Sequence, residues 1–387
     1  MEGVVVLPNE TDVLVVGAGP VGLATAVTLA MRGIRTTVVD RAAAGANTSR
    51  AAVVHAHTLE ELDRIGAAEP LVRQGVRAPR FTIRDRDRTL VPVRFDDLPT
   101  RFPYALMVPQ SVTEAVLLDR LTDLGGRVLR PHQVVDLTVE DGGAKVAFAD
   151  GTSCRARYVV GADGMHSTVR RLAGIGFGEA GEAGESFTLA DIRVDTDLPR
   201  DEVVLFFSGT GMVVWAPLPG DVVRIVAAVE EAPEVPDAAY IQALLDSRGP
   251  ARKRSVVREV VWGSRFRVDH RVADRFRSGP VLLAGDAGHV HSPAGGQGMN
   301  LGLHDAIALG ESLARVLAGE PESVLDDYAT ARRPIAEEVV TFANRLTRLA
   351  TAPAPARPIR NTVLAALSAL PVFRRKLAWR LSGLVYR

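Results

Sequence analysis

The sequence predicts an α/β fold of two interleaved lobes: a doubly wound parallel sheet, an inserted and mostly antiparallel sheet, and a helical tail. Three observations predict it. First, the apolar run Val13 to Val16 meets a glycine turn, an apolar-rich stretch from Gly22 to Arg32 and a second run from Ile34 to Asp40. That is a β-turn-α-β unit within about 30 residues, the beginning of a doubly wound sheet. Second, from about Phe187 to His270 the pattern changes to short β-rich runs broken by Gly, Pro and Asp, the mark of an antiparallel insertion. Third, Val281 to Ala284 returns to a buried, parallel-type strand.

The remaining elements follow in order. Val112, Ala115, Val116, Leu118 and Leu121 recur at helical spacing and predict a helix from Ser111 to Leu124. Val134 to Val139 and Lys145 to Phe148 flank Asp141-Gly142-Gly143 and read as a hairpin. In the β-rich region the strands are Val203–Phe207, Met212–Trp215 and Val222–Val229, and an acidic loop from Glu230 to Asp237 leads into a short helix. Leu301 to Leu317 is helical, and the chain past Ala350 is proline-punctuated, then helical with Arg374, Arg375, Lys376 and Arg380 among leucines. No internal repeat is visible.

At 387 residues, two lobes are the natural division. A formal net charge of zero points to neither nucleic acid nor a strongly acidic partner. Lysine occurs only at Lys145, Lys253 and Lys376, for which codon bias is explanation enough. Cys154, the single cysteine, excludes an internal disulfide and a cysteine-rich metal site, and suits a reducing cytoplasm. The first seven residues lack the features of a signal peptide, and no stretch reaches the roughly 18 apolar residues of a membrane span. A soluble, cytoplasmic protein without a metal is the expectation.

Gly17-Ala18-Gly19-Pro20-Val21-Gly22 fits G-x-G-x-x-G after a strand and before a helix. Gly17 permits the tight turn, Gly19 lets backbone approach a pyrophosphate, and Gly22 allows close packing of helix on strand. Asp40 ends the next strand, where a carboxylate takes the hydroxyls of an adenosine ribose, and Arg41 adjoins it. A bare structural turn is the alternative, and the strand, helix and Asp40 together favour the dinucleotide. Gly174-Ile175-Gly176-Phe177-Gly178 has neither a strand before it nor a periodic helix after it and reads as a connector. A single such turn argues against flavoproteins with separate FAD and NAD(P)H domains.

Two further signatures lie downstream. Tyr158-Val159-Val160-Gly161-Ala162-Asp163-Gly164 is a strand ending in Asp-Gly, followed by Ser167 and Arg170. Gly285-Asp286 is followed by the loop His289 to Asn300, containing Pro293, Gly295, Gly296 and Gly298. In these motifs, their order and their spacing, the chain resembles the FAD-dependent aromatic hydroxylases, the family of p-hydroxybenzoate hydroxylase and many polyketide-tailoring hydroxylases, over roughly residues 10 to 350. The resemblance implies a Rossmann-like FAD-binding lobe (1–79, 101–176, 280–350), a substrate lobe (80–100, 177–279) and a helical tail (351–387). It implies that Asp286 bonds the ribityl chain, that Asp163-Gly164 and Arg170 lie near the pyrophosphate, that Arg50 lies along the cofactor, and that Gln110 reaches the ribityl or pyrophosphate region. His57 stands where relatives usually show Arg, which puts a phosphate contact there in doubt. Independently of the family, Gly295, Gly296 and Gly298 allow backbone to lie against a flat ligand, and a helix starting at about Met299 favours developing negative charge. A glycine loop for some other anion is the alternative.

The resemblance further implies hydroxylation of an electron-rich aromatic through a flavin C4a-hydroperoxide, with O2 and NAD(P)H, NADPH favoured, as co-substrates. Arg224, His289 and Pro293 are the catalytic candidates, although a surface arginine and a structural histidine are competing readings. Trp215, Phe206 and Trp262 read as core rather than as an aromatic pocket. The basic tail helix is expected to pack on the FAD lobe or a subunit partner, leaving contact with a membrane and a homodimer open. A flavin halogenase is disfavoured by the missing W-x-W-x-I-P segment. A flavin reductase or dehydrogenase of a quinone or lipid, and a non-catalytic flavin-binding partner, are the rival functions.

Overall fold

Apolar residues that run without alternation become strands covered on both faces. Glu10–Val16 is such a strand: Val13, Leu14 and Val15 are completely buried. The computed structural model describes residues 6–45, 51–178, 186–252, 254–267, 269–291 and 295–387, so Arg50 and Pro293 lie outside the described residues. Thr36–Val39 pairs in parallel with one edge of Glu10–Val16, and Ser153–Gly161 with the other. Val128–Leu129 and Val281–Leu283 extend the parallel set on either side. The predicted hairpin, Val134–Glu140 with Gly143–Phe148, joins antiparallel along the first half of Ser153–Gly161. Cys154 is buried here, and its thiol is pushed up to about 11, chiefly by burial.

The carbonyl ends of these strands are knitted together. Gly17 N–H donates to Val39, Ala162 N–H to Val16 and Ala284 N–H to Gly161, at 2.8–3.1 Å. The three sequence signatures thus emerge from neighbouring strands at one sheet edge, where doubly wound folds bind ligands. Helix Pro20–Ala30 packs beside Gly298–Leu317, and Ser323–Ala350 packs on the latter.

The second sheet has seven strands in the order Val256–Arg267, Ser186–Asp195, Val222–Ala228, Gly211–Leu218, Glu202–Ser208, Arg80–Asp85, Arg88–Arg94. Every pairing is antiparallel except Glu202–Ser208 with Arg80–Asp85. Side chains alternate between its faces. Phe206, Trp215, Ile192 and Ile225 pack on one face beneath helix Ala238–Arg248, with Ile241, Leu244 and Leu245. Phe187, Leu189, Phe207 and Met212 occupy the other.

Helices Arg357–Ser368 and Pro371–Leu381 pack against Arg88–Arg94, the edge strand of this second sheet. Phe373, Leu377, Trp379, Leu381 and Leu384 join its core. The tail was expected on the FAD lobe or a partner. It lies mainly on the second sheet, where the edge strand's Leu90, Val91 and Val93 need cover. Its end also meets the first lobe, as expected: His57 N–H donates to the Ser382 carbonyl at 3.1 Å, Arg380 pairs with Glu338 and Arg387 with Glu60, and Tyr386 packs against that lobe's core.

A Cβ at Gly22 would lie 1.8 Å from the Gly17 carbonyl oxygen, so only glycine lets the helix start this close to the turn. Gly22→Ala is expected to lower the unfolding free energy by about 1–3 kcal/mol through overpacking, read as a lower urea midpoint at unchanged slope.

Candidate functional site

A cavity of about 500 Å³ joins the two lobes, a size typical of cofactor and small-molecule sites. Gly19, Pro20 and Val21 of the first turn line it, with Ala162, Gly164 and Met165 of the second signature and Ala284 and Asp286 of the third. Gly296, Gly298 and Met299 continue the wall, and Gln110 faces it from the start of its helix. The far end is the apolar face of the seven-stranded sheet, including Phe187, Leu205, Phe207 and Phe266, closed by Leu377 and Leu381 of the tail.

Gly17 has φ 105°, and a Cβ there would strike the Ala162 carbonyl oxygen at 2.3 Å, so the turn lies directly against the second signature. At Gly19 an added Cβ would meet nothing within 4 Å, which leaves the start of helix Pro20–Ala30 open to the cavity. Asp40 does not line the cavity. Its Oδ2 accepts from Ala18 N–H and its Oδ1 from Ala42 N–H, both at 2.8 Å, so it braces the turn from the adjoining strand. Arg41 is exposed and also outside the lining.

Several predicted polar residues are engaged by the protein itself. Asp163 Oδ1 accepts from Ser167 Oγ at 2.5 Å, and Oδ2 accepts from the amides of Thr168 and Val169, capping the helix Thr168–Leu172. Arg170 is buried and donates to the carbonyls of Ala287 and Met165, at 2.8 and 3.0 Å, with its guanidinium 3.6 Å from the Phe177 ring centroid. It ties the second signature to the third without lining the cavity. Asn300 is also withdrawn from the lining: its amide donates to Val53 and Gly296 carbonyls and its oxygen accepts from His55 N–H. Gly296, at φ 63°, rests where a Cβ would lie 2.2 Å from the Val53 side chain. Asn300 and Gly296 thus press the glycine loop onto Val53–His55.

Arg224 is a buried charge on the otherwise largely apolar sheet face. It lines the cavity while only 3% exposed. It pairs bidentately with Asp191 at 2.7 Å and donates to the Ala51 carbonyl at 3.0 Å, an arrangement that satisfies a buried guanidinium and holds the Ala51 segment. His289 is fully buried and does not line the cavity. Its Nε2 lies 2.5 Å from Asp305 Oδ2, while Arg332 donates to Oδ1 at 2.7 Å and Gly285 N–H to Oδ2 at 3.2 Å. Burial pushes the Asp305 carboxyl up, but Arg332 and His289 outweigh it and hold the pKa at about 2. This acid–base candidate thus has its Nε2 engaged by a buried carboxylate. His57 sits against Glu60 and the His304 ring, away from the cavity.

Sequence reasoning missed His55, which lines the cavity and whose Nε2 contacts the Gly295 carbonyl at 2.9 Å. It also missed the stacked pair Phe187 and Phe266, with centroids 5.4 Å apart. Alternation along the strands was the available signal: it sends Phe207 to the cavity and Phe206 and Trp215 to the opposite core. Asp305, a lone carboxylate in an apolar helical stretch, was a signal of the same kind.

Comparisons with known proteins agree with this geometry. A family model described as an FAD binding domain matches residues 10–343. A 6-methylpretetramide 4-monooxygenase of Streptomyces rimosus is 36% identical over 390 residues, covering 97% of this chain and 69% of that protein. The structure of an anhydrotetracycline hydroxylase from Streptomyces rimosus superposes with a TM-score of 0.80 at 36% identity, over 97% of this chain and 76% of that one. A p-nitrophenol 4-monooxygenase from Pseudomonas putida superposes with a TM-score of 0.86 at 26% identity, over 97% and 99%.

Two outcomes test the site's electrostatics. Asp305→Asn leaves Arg332 buried without its counter-charge and is expected to cost about 3–5 kcal/mol of stability in urea unfolding near neutral pH. His55 is held at about 4, chiefly by burial, against hydrogen bonds to Gly295 and Gly296 that raise it. The unfolded chain therefore binds more protons between about pH 4 and 6.5, and stability falls as pH drops through that window, by up to roughly 3 kcal/mol. Unfolding midpoints at about pH 7 and pH 5 should differ in that direction, and His55→Gln should narrow the gap.

Proposed function

The chain belongs to the family of FAD-dependent aromatic monooxygenases, and we propose on that premise that it hydroxylates an electron-rich, polycyclic aromatic substrate of polyketide type. One oxygen atom of O2 enters the ring and the other leaves as water, with NAD(P)H, NADPH in preference, supplying the electron pair. The observation that carries this reading is the single cavity that runs from the dinucleotide turn at Gly19 to the apolar sheet face at Phe187 and Phe266.

The residues present fit FAD. The open approach at Gly19 beside a helix start suits the pyrophosphate, with Gly17, Pro20, Val21 and Gly22 shaping the turn. Asp40, with Arg41 beside it, would brace the turn at the adenosine end, and Gln110 and Asp286, which line the cavity, would take the ribityl chain. Gly295, Gly296, Gly298 and Met299 line the cavity and would offer backbone to the isoalloxazine ring, with Gly285 shaping the turn before Asp286. When bound, FAD accepts hydride from NAD(P)H and activates O2, chemistry that belongs to the cofactor.

The chain's own work is positional. The amides at the start of Gly298–Leu317 favour negative charge on the adjacent ring. Phe187, Phe207, Phe266 and Met212 exclude water and hold the substrate plane. Arg224, fixed by Asp191, positions the Ala51 segment, while Asp163, Arg170 and Asn300 position the loops that carry the ligand contacts. His289 supports the Gly285 turn through Asp305 and is assigned no proton transfer. The buried thiol of Cys154 suits a cytoplasmic enzyme.

The test uses purified yellow protein with NADPH in air and polycyclic phenols or naphthols. Substrate-stimulated O2 uptake with a product about 16 mass units heavier is expected for oxygen insertion. NADPH oxidation that yields only hydrogen peroxide with every aromatic tried would count against hydroxylation.

A further inference from the structure

The zero net charge conceals a division along the chain. After Glu338 the last 49 residues contain nine basic residues and no acidic one, whereas the preceding 338 contain 37 basic and 46 acidic. Part of the tail's charge is neutralised locally, since Arg380 pairs with Glu338 and Arg387 with Glu60. Among the described residues Arg374, Arg375 and Lys376 form no ion pair, and Arg375 and Lys376 are exposed.

Beside these cations lies an uncovered apolar ridge. Helix Arg357–Ser368 buries Arg360, Asn361, Leu364 and Ser368 against the body. Its outer face carries Ile359 and Val363 at a spacing that shares one helical side, and Leu370 follows just beyond the helix end. These are 69%, 50% and 56% exposed, and Val372 at the start of the next helix is 65% exposed. Val372, Arg375 and Lys376 share a face of that next helix, so an exposed apolar side chain adjoins the cationic cluster.

We infer that this face docks on an anionic lipid surface. An apolar ridge flanked by unpaired cations is the pattern of an interfacial helix, which sinks its aliphatic side chains below the headgroups while cations meet the lipid phosphates. A second copy is the poorer occupant, because a two-fold contact through this face sets like cations against each other. The opposite side of the same helical wall lines the cavity through Leu377 and Leu381, so docking would set the apolar chamber one helix layer from the lipid. Docking itself requires no turnover.

Co-sedimentation of the full FAD-loaded chain with sucrose-filled vesicles tests it. Vesicles containing about 30% phosphatidylglycerol should bind roughly tenfold more strongly than phosphatidylcholine alone, and about 0.5 M salt should remove most of the difference. Paired Ile359→Ser and Leu370→Ser should abolish binding, and paired Arg375→Gln and Lys376→Gln should erase the anionic preference, with circular dichroism and thermal midpoint unchanged. Equal or absent pelleting on the two vesicle types overturns the inference. So does preferential binding of soluble polyglutamate, or a concentration-dependent dimer in sedimentation velocity that Ile359→Ser dissolves.

Discussion

Asp305 joins three parts of the molecule that apolar packing alone would leave free to slide. Its two oxygens take a backbone amide from the Gly285 turn, the His289 ring beyond that turn and the Arg332 guanidinium from the long helix Ser323–Ala350. A fully buried carboxylate is costly unless its partners compensate it, and here they outweigh the burial. The Gly285–Asp286 turn is thereby held where Asp286 faces the cavity. Other strong polar contacts near the cavity work the same way: Asp163, Arg170, Asn300 and Arg224 spend their hydrogen bonds on protein groups, which fixes loops rather than offering side chains to a ligand.

The wall left to the ligand is consequently made of backbone at one end and apolar side chains at the other. Backbone amides at two helix starts suit a charged, extended cofactor. The sheet face serves a flat, poorly hydrated ring. Period-two alternation makes this possible, because one set of strands supplies both the core under helix Ala238–Arg248 and the chamber on the opposite side.

Much of this was legible in the sequence. The β-turn-α-β unit, the hairpin at Asp141, the antiparallel insertion and the long helix after the glycine loop all carry local signals, and each appears within a few residues of its expected bounds. The family resemblance and the monooxygenase reading are upheld by the relatives. Less legible was the direction in which polar side chains point. Asn300, Arg170 and His289 sit in the right motifs but turn to partners distant in sequence, Val53, Ala287 and Asp305, which no local pattern announces. The tail's resting place was obscure for a similar reason: its leucines fit any apolar partner, and the uncovered edge strand that takes them exists only once the second sheet has formed.

That placement has a consequence for biosynthesis. The dinucleotide turn leaves the ribosome long before Leu377 and Leu381, which close the far side of the same cavity. Domains fold as units in the order of synthesis, yet this cavity draws its walls from segments far apart in the chain. A nascent enzyme thus has a turn able to meet its cofactor long before it has an enclosure, and cofactor retention becomes a late event, coupled to docking of the tail.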